Sequence, residues 1–143
     1  MLVAHILKGK ASDGVHTIAP DAQVAQAAGV LSELKIGSLV VSSDGRHAVG
    51  ILSERDIVRE VGKRGPGCLE EPVSAMMTSK LQTCKSGDTA DSILERMTDG
   101  RFRHMPVVED GKLCGMVTIG DVVNFRLNEL EHEALQLKQM IVG

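Results

Sequence analysis

The sequence predicts an α/β (α+β) fold. It comprises two domains related by a pseudo-twofold axis, each with a small, mostly three-stranded sheet and two helices, and a C-terminal helix. Three observations predict this. Asp-Gly pairs recur 66 residues apart, at Asp44-Gly45 and Asp110-Gly111. An apolar helical pattern precedes each pair, and a related phrase follows it, GILSERD at 50–56 and GMVTIGD at 115–121. This shared order indicates an internal duplication.

Each half is predicted to begin with a short strand, around Thr17 in the first half and Thr83 in the second. A helix follows, because apolar residues recur at the i, i+3, i+4, i+7 spacing of one helix face. These residues are Val24, Ala27, Ala28 and Leu31 in the first half, and Ala90, Ile93, Leu94 and Met97 in the second.

A second strand is predicted over residues 36–41 or 102–108 and a third over 48–52 or 114–119, with the Asp-Gly turn between them. The closing helix is predicted to begin near Asp56 or Asp121. Because neither half buries a sheet face and two helices alone, the halves are expected to pack together. The predicted boundaries are 1–62 and 73–127 for the domains, 63–72 for a linker rich in Gly, Pro and charge, and 128–143 for the C-terminal amphipathic helix.

The C-terminal segment carries apolar residues at spacings of three and four, which is the a/d pattern of a coiled-coil seam. These residues are Leu127, Leu130, Ala134, Leu137 and Ile141. Two interpretations are open: a helix packed on its own domain, and a seam between subunits.

Composition excludes several classes of protein. The chain has two Phe, no Trp or Tyr and a formal net charge of -3, which disfavours nucleic-acid binding. No apolar run approaches the roughly 20 residues of a membrane span, so no membrane insertion is expected. Cys68, Cys84 and Cys114 lack paired spacing, which predicts buried free thiols in a reducing cytoplasm and no metal site.

Catalysis is not predicted. The five His residues are scattered, and the sequence contains no HExxH, GxSxG, GxxxxGK[ST] or GxGxxG motif. We therefore expect a protein that is not an enzyme and needs no catalytic cofactor.

The repeated phrase permits two interpretations. Ser53 or Thr118 can cap the following helix, while Asp56 or Asp121 in its first turn favours the helix dipole. The same amides and hydroxyl can bind a phosphate, and the carboxylate can accept the two hydroxyls of a ribose. A single copy is explained by the cap; two copies in register favour a nucleotide site.

From about His5 to Leu127, the chain resembles a tandem pair of CBS domains, a Bateman module of the family named after cystathionine beta-synthase. Both phrases match the family's glycine, apolar, any, Ser/Thr, any, any, Asp motif. HTIAPDAQV and QTCKSGDTA match the first strand and helix, VSAMMT the start of a second repeat, and RHMPVVEDG the middle strand and turn.

This resemblance implies an adenosine-nucleotide sensor with two clefts that bind AMP, ADP, ATP, NAD(H) or S-adenosylmethionine. It implies a homodimer that regulates an unidentified partner protein. By the same resemblance, Asp56 and Asp121 bind ribose, Ser53 and Thr118 lie near the phosphate, and Thr17 and Thr83 lie near the adenosine. We expect Thr17 to work with Asp121 and Thr83 with Asp56.

The start of the second strand supplies further candidate ligand-binding residues. They are Lys35, Gly37 and Ser38 in the first half and Arg101, Arg103, His104, Met105 and Pro106 in the second. Strand alternation would place Arg101 and Arg103 on one face and His104 on the other. Because the guanidinium fork suits phosphate, we expect unequal clefts, the second being richer in cations.

Other cations and apolar residues near the motifs are expected to have ordinary roles. Two interpretations are weighed for Arg46, His47, Arg55 and Arg59: further cations near the first motif, and solvated surface residues, which is the favoured one. The adenine is expected to lie between aliphatic side chains that also form the core, namely Ile36, Leu39, Ile51, Met105, Val107 and Ile119.

Two alternative functions are kept. The first is a structural or interaction protein that no longer binds ligand, although both Ser/Thr and Asp pairs are present. The second is a redox-linked regulator of a thiol protein. For the latter, Cys84 is the only thiol near a predicted cleft, and packing is the favoured role for it.

Overall fold

The structure, a computed structural model, describes residues 2–8 and 15–142. It confirms the predicted mixed α/β class and the C-terminal helix. The elements are α1 (Val3–Lys8), β1 (Thr17–Ile18), α2 (Val24–Leu34), β2 (Ser38–Val41), β3 (Gly50–Ser53), α3 (Glu54–Arg64), a 3-10 helix (Pro66–Glu70), α4 (Val73–Met76), α5 (Ala90–Gly100), β4 (His104–Glu109), β5 (Lys112–Thr118) and α6 (Ile119–Val142).

The two halves have related sheets. In the first, β1 pairs parallel to β2, and β2 pairs antiparallel to β3. In the second, β4 and β5 pair antiparallel, and Cys84 makes an isolated parallel bridge to Val107. The strand predicted around Thr83 is thus reduced to one bridge.

A proline explains this difference. In the first half the Val40 amide donates to the His16 carbonyl at 3.2 Å. Pro106 occupies the corresponding position of β4, and its nitrogen carries no hydrogen to donate. The second half therefore keeps only the bonds around Cys84, whose amide donates to Pro106 O at 3.0 Å and whose carbonyl accepts from the Val108 amide at 2.8 Å.

Helices α2 and α5 end in the same way. Lys35 and Arg101 follow them with φ of 55° and 56°, in the left-handed region. The next amides, of Ile36 and Phe102, still donate to the helix carbonyls of Leu31 (3.1 Å) and Met97 (3.2 Å). The second strands therefore begin later than predicted, at residues 38 and 104 instead of 36 and 102.

Each half has its own buried core, completed by a helix that precedes the other half in the chain. Val3 and Ile6 of α1 lie in the second core, and Val73 and Met76 of α4 lie in the first. Equivalent backbone hydrogen bonds hold the two helices in place. The Val3 amide donates to Asp88 O at 2.8 Å, and the Val73 amide donates to Ala22 O at 2.7 Å. We call α1 and α4 the exchanged helices.

The glycines that open the two phrases permit this exchange. A Cβ on Gly115 would lie 2.8 Å from Leu7 Cδ2, and one on Gly50 would collide with the Met77 side chain and lie 3.1 Å from Thr78 O. A Cβ at either position would displace the neighbouring side chain, and at Gly50 it would also press on the Thr78 carbonyl, so glycine allows the close approach.

The segment predicted as a linker, residues 63–72, is packed onto the first half. It contains the 3-10 helix, and Cys68 is buried in the first core. Cys84 is buried as well, but Cys114 is exposed on β5, so the prediction of three buried thiols is wrong at Cys114. The Glu71 carbonyl accepts the amide of Val24 at 2.9 Å, which ties the segment to the start of α2.

Candidate ligand cleft

A cavity of about 650 Å³ lies between the two halves. The first half contributes Gly37 and the β3–α3 junction, and the second contributes the end of α5, the start of β4 and the β5–α6 junction. Between them runs the segment that joins the halves. The lining residues are Gly37, Ile51, Ser53, Glu54, Arg55, Asp56, Arg59, Thr78, Lys80, Leu81, Gln82, Gly100, Arg101, Phe102, Arg103, His104, Pro106, Thr118 and Ile119.

The cavity brings together eight of the predicted site residues: Gly37, Ser53, Asp56, Arg101, Arg103, His104, Pro106 and Thr118. Six others do not line it: Thr17, Lys35, Ser38, Thr83, Met105 and Asp121. The Met105 side chain is fully buried in the second core, and Ser38 is also buried, so packing accounts for both. Lys35 is exposed at the end of α2.

The two phrases form the same reciprocal cap. The Asp56 amide donates to Ser53 Oγ at 3.2 Å, and Asp56 Oδ2 accepts the Ser53 amide at 3.0 Å. Thr118 and Asp121 repeat these bonds at 3.1 and 2.9 Å. Each cap stabilises its helix by about 1 kcal/mol. It also fixes a hydroxyl and a carboxylate at a helix N-terminus, where amides and dipole favour an anion.

Asp56 is the buried acid of the cleft. Its residue is 8% exposed, and its second oxygen, Oδ1, accepts a bond from Arg59 Nη2 at 2.9 Å. Oδ2 is held in the cap and Arg59 is half-exposed, so Oδ1 is the oxygen that a ligand hydroxyl can reach when the guanidinium moves aside.

The two halves meet where Gly37 faces His104. A Cβ on Gly37 would lie 3.1 Å from His104 Nε2, so the imidazole contacts the backbone of the other half. Gly37 O accepts the Glu54 amide at 2.9 Å, and Arg103 O accepts the Ile119 amide at the same distance. Gly37 is thus the counterpart of Arg103, and the second half has a guanidinium where the first has none.

The strand alternation predicted for Arg101, Arg103 and His104 does not extend over all three residues in the structure. Arg101 and Arg103 precede β4, which begins at His104, so the two-residue period does not apply to them. All three side chains line the same cavity. The left-handed turn at Arg101 is the physical reason, because it redirects the chain before the strand starts.

The lining is strongly basic. It includes Arg55, Arg59, Lys80, Arg101 and Arg103, against two carboxylates, Glu54 and Asp56. His104 adds a further charge when it is protonated. Because the whole chain has a formal net charge of -3, the cleft concentrates positive charge on an otherwise acidic molecule and attracts an anion.

Arg55 and Arg59 line the cleft, although surface solvation was the favoured interpretation and the role of cations near the first motif the alternative. Their spacing of four places them on one side of α3, next to Asp56. Lys80 carries no local sequence pattern. It reaches the cleft because the Thr78 and Ile51 backbones form two bonds, of 2.9 and 3.0 Å, which bring the joining segment beside β3.

The same segment bears on the expected partnership of Thr83 with Asp56. Leu81 and Gln82, which precede Thr83, line the cavity together with Asp56. Thr83 itself is half-buried, and its carbonyl accepts a bond from Arg96 Nη2 at 2.8 Å. The partnership of Thr17 with Asp121, on the other side, stays a prediction.

Cys84 does not have the surroundings of a reactive thiol. Its side chain lies in the second core, and burial, followed by the charge of Asp88, raises the pKa of the thiol to about 11. A thiol that stays protonated at neutral pH is a poor nucleophile. Within residues 2–8 and 15–142, no group of three His, Cys, Asp or Glu is arranged to hold a metal.

Two pseudo-symmetric α/β halves around a shared cleft define a tandem-repeat module. The CBS domain profile matches residues 3–63 and 73–128. The chain therefore belongs to the CBS domain family, as its resemblance implied.

Related proteins agree with this assignment. A CBS-domain containing protein from Agrobacterium tumefaciens is 41% identical with a TM-score of 0.83, covering 88% of this chain and 99% of its own. The mitochondrial protein CBSX3 of Arabidopsis thaliana is 34% identical over 95% of this chain and 68% of its own length. The CBS domain pair of protein MJ0100, solved with 5-methylthioadenosine and S-adenosyl-L-methionine, is 22% identical with a TM-score of 0.78, covering 90% of this chain and 98% of its own, and shares the fold.

Within residues 2–8 and 15–142, no helix is both long enough and apolar enough to cross a bilayer.

Proposed function

We propose that this protein is a regulatory module that binds a phosphorylated adenosine ligand, such as AMP, ATP or NAD(H), and thereby modulates a partner protein. The observation that carries the proposal is the charge of the cleft, with five Arg and Lys residues against two carboxylates. The volume of about 650 Å³ is that of a small-molecule site.

The chemistry of the lining suits the three parts of a nucleotide. The guanidinium groups of Arg101 and Arg103 match phosphate oxygens in a bidentate way. The carboxylate of Asp56, fixed at the start of α3, suits a ribose diol. Apolar side chains of Ile51, Leu81, Phe102 and Ile119 are available to the base.

Charge also favours one group of adenosine ligands over another. 5-Methylthioadenosine and S-adenosylmethionine, bound by the MJ0100 pair, contain adenosine but no phosphate, and the second carries a sulfonium cation. A cleft with excess positive charge favours a phosphorylated ligand over both.

The output of the module is proposed to be a partner protein. The sequence lacks the catalytic motifs considered above, and relatives of the chain are CBS domain proteins. The proposal includes action as a homodimer in the reducing cytoplasm, where free Cys68, Cys84 and Cys114 persist as thiols. A pull-down with and without nucleotide would identify the partner.

Calorimetric titration with AMP, ATP, NADH and S-adenosylmethionine tests ligand binding. We expect saturable binding of the phosphorylated ligands, tighter than that of S-adenosylmethionine and weakened by added salt. If none of the four saturates, the proposal fails and the alternative of a ligand-free interaction protein is favoured.

A matched pair of variants tests the site. Arg101→Ala removes a cation from the cleft, and Lys35→Ala removes its counterpart at the end of α2, outside the lining. Both positions have the same left-handed backbone, so the two changes are matched in backbone strain. We expect Arg101→Ala to weaken ATP binding about tenfold or more, the effect of one charged hydrogen bond, and Lys35→Ala to change it less than twofold. Equal effects would contradict the assignment.

A further inference from the structure

The last part of α6 carries an apolar stripe that its own domain leaves uncovered. Near its start the helix packs on the second core through Val122 and Phe125. From residue 130 to residue 142 every residue is exposed. The interpretation of this tail as a helix packed on its own domain is therefore wrong.

The stripe, which we call the seam, consists of Val123, Leu127, Leu130, Ala134, Leu137 and Ile141. Its leucines at 127, 130 and 137 are 54%, 46% and 59% exposed, and Ile141 is 84% exposed. Spacings of four and three over this length match the 3.5-residue repeat of a coiled coil. A seam with this period is complementary to a second helix with the same period.

Charges beside the seam identify the second helix. With Leu127, Ala134 and Ile141 at position a, the flanking g positions are Arg126 and Glu133 and the flanking e positions are Glu131 and Lys138. In a parallel pair, each g residue faces the e residue of the next heptad on the other chain. Arg126 then faces Glu131 of a second copy, and Glu133 faces its Lys138, so every such pair has opposite charges.

In an antiparallel pair, the residues that flank the seam would meet residues of like charge. The register that pairs all six seam residues places Glu131 against Glu131 and Glu133 against Glu133 of the second copy, and like charges in contact are unfavourable. Within the described chain, Arg126 already pairs with Glu129 at 3.3 Å. No ion pair there involves Glu133 or Lys138, which are both exposed. These two charges are available to another chain.

We infer that α6 pairs with α6 of a second copy of this chain as a parallel, two-stranded coiled coil. This arrangement places the ligand clefts of the two copies at the same end of the assembly, and the twofold axis runs between the two helices, along the axis of the coiled coil. The inference deepens the homodimer of the proposed function, but it depends on residues of α6 that do not line the cleft.

Two leucines provide a matched test of the seam. Leu137 lies at a d position, and Leu135, 57% exposed, faces another side of the helix. Sedimentation over a concentration series is expected to show that Leu137→Asp weakens dimerisation of the full chain at least tenfold, whereas Leu135→Asp changes it less than twofold. Equal dimer stability in the two variants would overturn the inference.

A charge exchange tests the direction of pairing. In the parallel arrangement, Lys138→Glu places the carboxylates of residues 133 and 138 in contact on each side of the seam and weakens the dimer. The double variant Glu133→Lys with Lys138→Glu restores opposite charges and restores the dimer. A single variant without effect, or a double variant that stays weak, would overturn the parallel arrangement.

Nucleotide titration of the same samples separates this inference from the proposed function. Loss of the Leu137→Asp dimer with nucleotide binding retained is the expected result. A wild-type dimer that binds no nucleotide contradicts the proposed function alone, and a dimer indifferent to Leu137→Asp that binds nucleotide contradicts the seam alone.

Discussion

The two motif aspartates have the same backbone geometry and different surroundings. Each accepts an amide bond through Oδ2, at 3.0 Å for Asp56 and 2.9 Å for Asp121. Asp56 additionally accepts a hydrogen bond from Arg59 through Oδ1, and it lines the cleft. Asn124 stands where the second half would have its counterpart of Arg59. The caps are therefore equivalent, and the electrostatics of the two sites are not.

This difference predicts unequal effects of the same substitution. Asp56→Asn removes a carboxylate from the cleft while keeping an oxygen for the cap, and Asp121→Asn does the same outside it. We expect Asp56→Asn to weaken ATP binding by about 2 kcal/mol, the contribution of hydrogen bonds to a charged group. Asp121→Asn is expected to leave that binding within threefold. Calorimetry of both variants checks this, and equal losses would show that both aspartates contact the same ligand.

At the residue scale, the sequence was sufficient where chemistry and spacing coincide. Ser53, Asp56 and Thr118 were predicted from the phrase itself, and all line the cleft. Arg59 was visible one turn after Asp56 but has the spacing of any exposed helix residue. The place of Lys80 in the cleft could not be predicted from the sequence. It depends on the pairing of Thr78 with Ile51, a contact between distant parts of the chain.

At the scale of elements, helix faces were easier to predict than strand ends. The buried residues of α5 are Ala90, Ile93 and Met97, three of the four that the spacing indicated. The start of β4 was missed because a non-glycine residue, Arg101, takes the left-handed turn. Such turns usually favour glycine, so a turn at an arginine could not be predicted from the residue type.

The short helix α1 was not predicted, and its contact with β5 yields a stability prediction. Gly115→Ala forces a Cβ to 2.8 Å from Leu7 Cδ2, so we expect the free energy of unfolding to fall by about 1–3 kcal/mol, as in overpacked cores. In the double variant with Leu7→Ala, the two losses should be less than additive, because the collision is relieved.

Urea unfolding measures this coupling. Gly29→Ala, an exposed helix position with nothing within 4 Å of the new Cβ, is the control and should stabilise the protein by about 0.5–1 kcal/mol. Additive losses at Gly115 and Leu7 would mean that α1 does not approach β5 as closely as described.

On the scale of the whole molecule, the exchanged helices make the stability of each half depend on the other. Val73 is fully buried in the first core but precedes the second repeat in the chain. We expect Val73→Ala to lower the free energy of unfolding by about 2 kcal/mol and to reduce amide protection in β2 and β4 together.

Hydrogen exchange resolves the two sheets and so tests this coupling. Val58→Ala, at a residue that is 72% exposed, is the control and should change protection in neither sheet. Lower protection in β2 alone would show that the halves unfold independently, in spite of the exchange.

The exchanged helices also bear on how such a chain can arise. Each half, taken together with the short helix that precedes it in the chain, forms one unit. The helix of each unit docks on the core of the other unit, and residues 63–72 connect the two. That is the arrangement of a domain-swapped dimer. Joining two such units in tandem turns an association between molecules into one within a chain, at a high effective concentration. The two halves of such a chain can differ at their parts of the shared cleft, as they do at Gly37 and Arg103, while remaining joined.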